Sequence, residues 1–440
     1  MKRLLGIWRN IQYSLWFIPA LIVSFSVLLA VLSIVLDGRV DSGDLPDWPR
    51  LFTGSADGAR GTLEVIAAAM ISIGALTFSI TVLVLSSAAS TYTPRVIRTF
   101  MGSTLTKTVL GVFVGVYVYA LIVLRTVSSS EPEFVPAIGV TLGLILALVG
   151  VGFLIAFIHH MAYSIEVSSI VSTLGRDTVE AARKLFPQEA REAGAEPERA
   201  SADDSSDTQL AWFPVPANAT GYIQAIDSPS LARTAGENGV QLKMERAVGE
   251  FVIEGEPVMH ATQRPDDALM AAVNRCFSIG AQRTVEQDVS VGIRQLADIA
   301  LRAISASVND STTAAMCVDY LTGILAELGR RRLSSETETW EGRRTLRLRC
   351  PDFADYLRLA FEQIRQQAGA NLAIYLRMLD ALETIARAGM HPSRRKAVER
   401  EASLVVAYGR AALRHADEQA RLEQAWRRTC AAISMTGDGR

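Results

Sequence analysis

The strongest constraint in this sequence is the stretch Leu15 to Leu36, which contains no ionisable side chain. About 20 consecutive apolar residues are enough to cross a hydrocarbon core as a helix. Lys2, Arg3 and Arg9 precede the run, and Trp8, Tyr13 and Trp16 stand where an interfacial aromatic belt would sit. A signal peptide has a shorter apolar core and a small-residue cleavage site, and neither occurs here. The run reads as a retained membrane helix.

Three further spans are expected at Leu63–Ala89, Thr108–Leu124 and Val135–Ile158, giving a membrane domain over residues 1–162. Basic residues set the orientation. They precede the first span, join the second to the third (Arg95, Arg98, Lys107) and follow the fourth (Arg176, Arg183, Lys184). The loops Asp37–Thr62 and Arg125–Phe134 are richer in Asp, Glu and Pro, although the first also holds Arg39, Arg50 and Arg60. Both termini are therefore expected on the cytoplasmic side.

The second span carries a seam of small residues. Ala68, Ser72, Ala75, Ser79, Val82, Ser86 and Ala89 recur at alternating steps of four and three, the spacing of one face in a left-handed helix pair. Ile66, Ile73 and Ile80 fall on roughly the opposite face and are expected to meet lipid. The seam suits close helix packing, or a narrow wet path between copies with Ser72, Ala75, Ser79 and Ser86 lining it. Small residues also recur at Gly111 and Gly115, and at Gly139, Gly143 and Ala147. Together they suggest a tight bundle or an oligomer. No Asp, Glu, Lys or Arg stands near the centre of a span, which argues against carboxylate-driven transport. His159 and His160 close the fourth span; adjacent helical residues point about 100° apart, so interfacial anchoring is the expectation.

Beyond the spans the character changes. Residues 163–187 read as a helical extension that Pro187 ends, and 188–209 as a disordered linker, poor in large apolar residues. Residues 210–263 show strand-like alternation around Gly221–Ile226, Val240–Arg246 and Glu250–Ile253, a small β-domain. The stretch from Val248 to Pro257 resembles the strand-turn rhythm of biotinyl/lipoyl-type modules, which carry a cofactor on a lysine in a hairpin turn. Lys243, the only lysine of that segment, falls within a strand. No cofactor is expected.

Everything past Pro265 reads as helix, a cytosolic α-helical domain over residues 264–440. Val289, Ile293, Leu296, Ala300 and Ala303 form an apolar stripe. Asn309 or Asp310 can cap a helix that stops at Gly329. Long helical regions follow at Phe353–Ala388 and from Pro392 to about Ser434. A polar cluster surrounds the stripe: Gln287, Asp288, Arg294, Gln295, Asp298, Arg302, Asn309 and Asp310. Arg294, Asp298 and Arg302 stand four apart, the spacing of a helix-surface ion-pair ladder; an inter-subunit ion network and a polar ligand pocket are the other readings. No HExxH, GxSxG or GxxxxGK[ST] pattern occurs, so no catalytic or metal-binding residue is assigned. Cys276, Cys317, Cys350 and Cys430 are widely spaced and read as reduced, mostly buried thiols. With 44 basic and 46 acidic residues the chain gives no electrostatic case for nucleic acid. The basic runs Arg330–Arg332 and Arg343–Arg349 leave room for an anionic-lipid contact.

Gln287-Asp288, the run from Gly292 to Arg302 and Asn309-Asp-Ser-Thr-Thr-Ala314 resemble the signature of a bacterial membrane family, the domain-of-unknown-function 2254 family. Phe78-Ser79 and Pro94-Arg95 resemble its membrane signature. The family favours Pro where Ser311 stands. The resemblance implies a bacterial inner-membrane protein and supplies no activity. The expected fold is an integral-membrane, α-helical four-span bundle followed by a small β-domain and an α-helical cytosolic domain. The expected function is a homo-oligomeric, channel-like protein, in contact with the bilayer, whose second span lies near the axis. The alternative is a membrane-anchored scaffold or sensor without transport activity.

Overall fold

The computed structural model describes residues 16–39, 55–91, 104–128, 135–164, 166–186, 211–283, 288–333, 337–340 and 343–435. The chain divides into two compact units, Met1–Ser169 and Ile170–Arg440. The linker expected at 188–209, the Pro94-Arg95 pair and Gln287 lie outside the described residues.

The first unit holds α1 (Phe17–Asp37), α2 (Ala56–Thr91), α3 (Thr104–Thr126) and α4 (Ala137–Ser164). All four are long and apolar enough to cross a membrane. The shortest has 21 residues, about 31 Å at 1.5 Å per residue, which matches a hydrocarbon core. Leu21, Phe25 and Leu28 on α1, Leu76 and Leu83 on α2, and Leu148 and Ile155 on α4 point outward and stay exposed. Such a surface is stable in lipid or against another helix, not in water.

α3 is the innermost helix, with half of its span buried against about a fifth for the others. Val109, Phe113, Val116, Tyr119 and Val123 form the centre of the unit's core. Gly111 and Gly115 let α1 come close. A Cβ at 111 would stand 2.8 Å from Ile22 Cδ1, and one at 115 would stand 2.5 Å from Ser26 Oγ. The small-residue spacing of the third span is thus used within the chain.

α2 corrects an expectation. Ile66 is buried and Ile73 and Ile80 pack against the same core, so the isoleucine face meets the unit's own helices rather than lipid. A Cβ at position 74 would stand 3.4 Å from Phe113 Cβ, and Leu63 and Met70 are buried. Periodicity defines two opposite faces but not which one meets a neighbour; Phe113 and the branched side chains around it make that choice.

The second unit is mostly helical with two small sheets. After α5 (Val167–Leu185) come β1 (Phe213–Pro216), β2 (Gly221–Ile226), α6 (Ser228–Glu237), β3 (Leu242–Met244), β4 (Phe251–Val252), β5 (Pro257–Ala261), α7 (Asp267–Arg275) and β6 (Phe277–Gly280). Then follow α8 (Val289–Ala303), α9 (Ser311–Gly329), β7 (Thr337–Trp340), β8 (Arg343–Arg347), α10 (Phe353–Gln367), α11 (Leu372–Arg387), α12 (Arg395–Ala412) and α13 (Ala416–Met435). One sheet runs β1-β5-β3-β8-β7 and the other β4-β2-β6. Val215, Ile223, Leu231, Leu242, Met259 and Leu346 share one core beneath them.

β6, β7 and β8 correct the expectation that all residues after Pro265 are helical. β3 and β8 pair in parallel, Leu242 beside Leu346, and a parallel pairing needs a long crossover that local alternation does not announce. The two long helical regions each split into a pair of helices. Gly369, at φ 55°, turns the chain between α10 and α11, a conformation glycine adopts without steric cost. Lys243 lies in β3 with its Nζ 5.7 Å from the centre of the Trp212 ring. Of the four cysteines, all free, only Cys317 is buried.

Candidate functional site

On α2, the seam residues Ser72, Ala75, Ser79 and Ser86 are all exposed in the isolated unit. Ser72 Oγ donates to the Ala68 carbonyl at 2.7 Å. On the same helix, Thr77 donates to Ile73 and Thr81 to Thr77, each at 2.8 Å. On the seam, the Ser72 hydroxyl is thus satisfied by its own helix, so a neighbouring apolar surface costs it no hydrogen bond. The face offers small side chains, bordered by the exposed Leu76 and Leu83.

A polar knot ties α1, α3 and α4 together at one end. The Asp37 carboxylate accepts from Ile138 N at 2.8 Å and Gly139 N at 2.9 Å, both in the first turn of α4. Those amides have no partner inside the helix, and the helix dipole favours a negative charge there. Tyr119 donates to the Gly139 carbonyl at 2.9 Å and lies 3.2 Å from Ser33 Oγ. Sequence reasoning missed this knot. Asp37 showed only as the first charge after an apolar run, while its partners lie about 100 residues away in the chain.

In the second unit the motif residues separate. Asp288 caps α8, its Oδ1 accepting from Ser290 N at 3.1 Å. Arg283 clamps its other oxygen through Nε at 2.9 Å and Nη2 at 2.6 Å, and also reaches Ser290 Oγ at 2.6 Å. Asp288 is buried while Arg283 is about one-third exposed. A buried carboxylate needs such pairing. Gly249, at φ 88°, presses on this pair; a Cβ there would collide with Asp288 Oδ2 and stand 2.7 Å from Arg283 Nη2.

Arg294 reaches out of α8 to Gln363 on α10, at 3.1 Å. Gln295 is buried, Asp298 half-buried and Arg302 exposed. Asn309 and Asp310 lie beyond the far end of α8, about 20 Å from Asp288 by helix length. Asn309 takes a left-handed turn at φ 51°, which Asn tolerates better than most side chains. Asp310 then caps α9, accepting from Thr312 N at 3.1 Å, Thr313 N at 3.0 Å and Thr313 Oγ1 at 2.5 Å. Asn371 Nδ2 fixes the same turn through Ser311 Oγ at 2.6 Å. The polar cluster is therefore two helix-capping centres at opposite ends of α8, not one constellation. Arg283 and Ser290, which complete the first centre, carried no sequence signal of their own. Among the described residues no group of three or more His, Cys, Asp or Glu could hold a metal ion.

A family model described as "Predicted membrane protein (DUF2254)" matches residues 12–384. An uncharacterized protein of Mycobacterium tuberculosis is 31% identical, the match covering 96% of this chain and 80% of the relative. An uncharacterized protein of Mycobacterium bovis matches to the same extent. No solved structure matches. With a match across most of its length and four helices able to cross a membrane, the chain belongs to the DUF2254 family of predicted membrane proteins.

Proposed function

We propose that the protein is a homo-oligomeric, channel-like protein of the bacterial inner membrane, with α2 of each copy facing the symmetry axis. One observation carries the reading: the small-residue face of α2 turns away from its own unit while its isoleucine face is filled. In lipid, helices associate through small residues that allow close backbone approach, and a face of Ala and Ser fits a second helix better than acyl chains. Four helices are too few to enclose a path alone, so a pore forms between copies. Both termini and the second unit lie on the cytoplasmic side, following the basic flanks of the spans. No catalytic step is part of this reading, and no partner beyond lipid and further copies.

The test is the mass of the protein in nanodiscs, by light scattering with lipid mass subtracted, for wild type and Ser79→Leu. A defined oligomer that Ser79→Leu dissociates supports the reading, and conductance should vanish with it. A monomeric wild type overturns it. In that case the anchored-sensor reading takes its place, favoured by the separate core that the second unit builds for itself.

A further inference from the structure

A cleft of about 370 Å³ opens in the second unit beside the Arg283–Asp288 clamp. Its walls come from the turn at Val248–Glu250, from Arg283 and Ser290, from Arg349–Pro351, and from Asp355, Tyr356 and Leu359 on α10. That volume matches the lower range of small-molecule pockets.

Tyr356 is the informative residue. It is 3% exposed and lines the cleft, yet its hydroxyl has no hydrogen-bond partner among the described residues. The hydroxyl is not sealed off from solvent, so it stays free to donate to a molecule in the cleft. Burial first, with the Asp288 charge second, pushes its pKa well above the ordinary value, so it stays a donor throughout the physiological range.

The charges around it are unevenly paired. Arg283 neutralises Asp288, and Arg358 neutralises Asp355. Glu250 also lines the cleft; it accepts from Ala247 N at 3.1 Å and keeps its negative charge, at the Val248–Glu250 turn. Arg349 spends one nitrogen on the Glu245 carbonyl, at 3.1 Å, and has no carboxylate partner among the described residues. The cleft thus offers a cationic fork and a fixed hydroxyl donor, beside the apolar surfaces of Val248, Pro351 and Leu359.

We propose that this cleft binds a small phosphate monoester, its phosphate held by Arg349 and the Tyr356 hydroxyl and its organic part resting on Val248, Pro351 and Leu359. A phosphate presents three acceptor oxygens, and planar guanidinium forks pair with it in two-pronged fashion. The site is independent of the oligomer proposed above and concerns a different unit of the chain.

The experiment is calorimetric titration of the full chain in nanodiscs with phenyl phosphate, with inorganic phosphate and benzoate as comparison probes. Phenyl phosphate should bind saturably, inorganic phosphate more weakly and benzoate more weakly still. Tyr356→Phe, which keeps the ring packing, and Arg349→Gln should each weaken phenyl phosphate roughly tenfold, as loss of one hydrogen bond to a charged group does. Arg349 is exposed, so its variant tests the site even if Tyr356→Phe fails to fold. Absence of saturable binding overturns the proposal, and so does unchanged affinity in the folded variants. Benzoate binding as tightly as phenyl phosphate overturns the phosphate assignment. None of these readouts depends on the particle mass, so failure here and failure of the oligomer are separable.

Discussion

Thr178 Oγ1 occupies the space into which any side chain at position 292 would project. Thr178 is held there by its own donation to the Leu174 carbonyl at 2.6 Å. One turn earlier on α5, Gly175 meets the Tyr320 ring of α9 in the same close manner. Gly292 therefore sets how near α5 and α8 approach. Gly292→Ala should lower stability by about 1–3 kcal/mol, the usual cost of overpacking. Thr178→Ala in the same background should recover much of that loss, because the two sites share one contact. Denaturant unfolding of the four proteins measures the coupling; strictly additive effects would remove the contact as its cause.

Gly249 and Gly239 make a matched pair. Both have positive φ, 88° and 63°, but a Cβ at 239 would meet nothing within 4 Å while one at 249 would strike the Asp288 carboxylate. Gly239→Ala should cost only the conformational strain, about 1–2 kcal/mol. Gly249→Ala should cost that and a further 1–3 kcal/mol or so for displacing the buried ion pair. Equal losses of melting temperature would mean that the turn relaxes freely away from Asp288.

Asp310 gives the second unit a pH dependence. The Thr313 hydroxyl first, then the Thr313 and Thr312 amides, hold its carboxyl below the ordinary value of 3.8. A carboxylate with a lowered folded pKa contributes its stability above the unfolded value and loses it as pH falls through the folded one. Asp310→Ala should cost about 1 kcal/mol at neutral pH and progressively less in acid. Unfolding curves across that range check it; a difference that persists undiminished at low pH would assign the effect to something other than the charge.

Burial pushes the Cys317 thiol up to about 12, and the thiolate is the reactive form. In the native protein Cys317 should resist maleimide at mildly alkaline pH and react only after denaturation. Peptide mapping by mass spectrometry reads this directly. Rapid native labelling of Cys317 would mean that α9 opens locally.

The four spans were legible because a bilayer demands about 20 apolar residues in a row, and nothing else in the chain mimics that. Which face of α2 turns inward was not legible. Ile66 and Ser72 are both compatible with lipid, and Phe113 on another helix decides between them. The cap at Asp310 could be read from spacing because its partners lie two and three residues on. The clamp on Asp288 could not, since the pressing Gly249 comes from a distant turn and Arg283 lies before the helix begins. The same limit hid β8, whose neighbour Leu242 is remote in sequence. Tyr356 looked like any core aromatic on an amphipathic helix; only its place beside a cleft sets it apart.

The Asp37 knot imposes an order on biosynthesis. Its amide partners follow 101 and 102 residues later in the chain. At about 5–20 residues per second, the carboxylate waits on the order of 5–20 s before the fourth span emerges to receive it. Until then the first span ends in an uncommitted charge, and a nascent chain arrested after the third span carries that liability unrelieved.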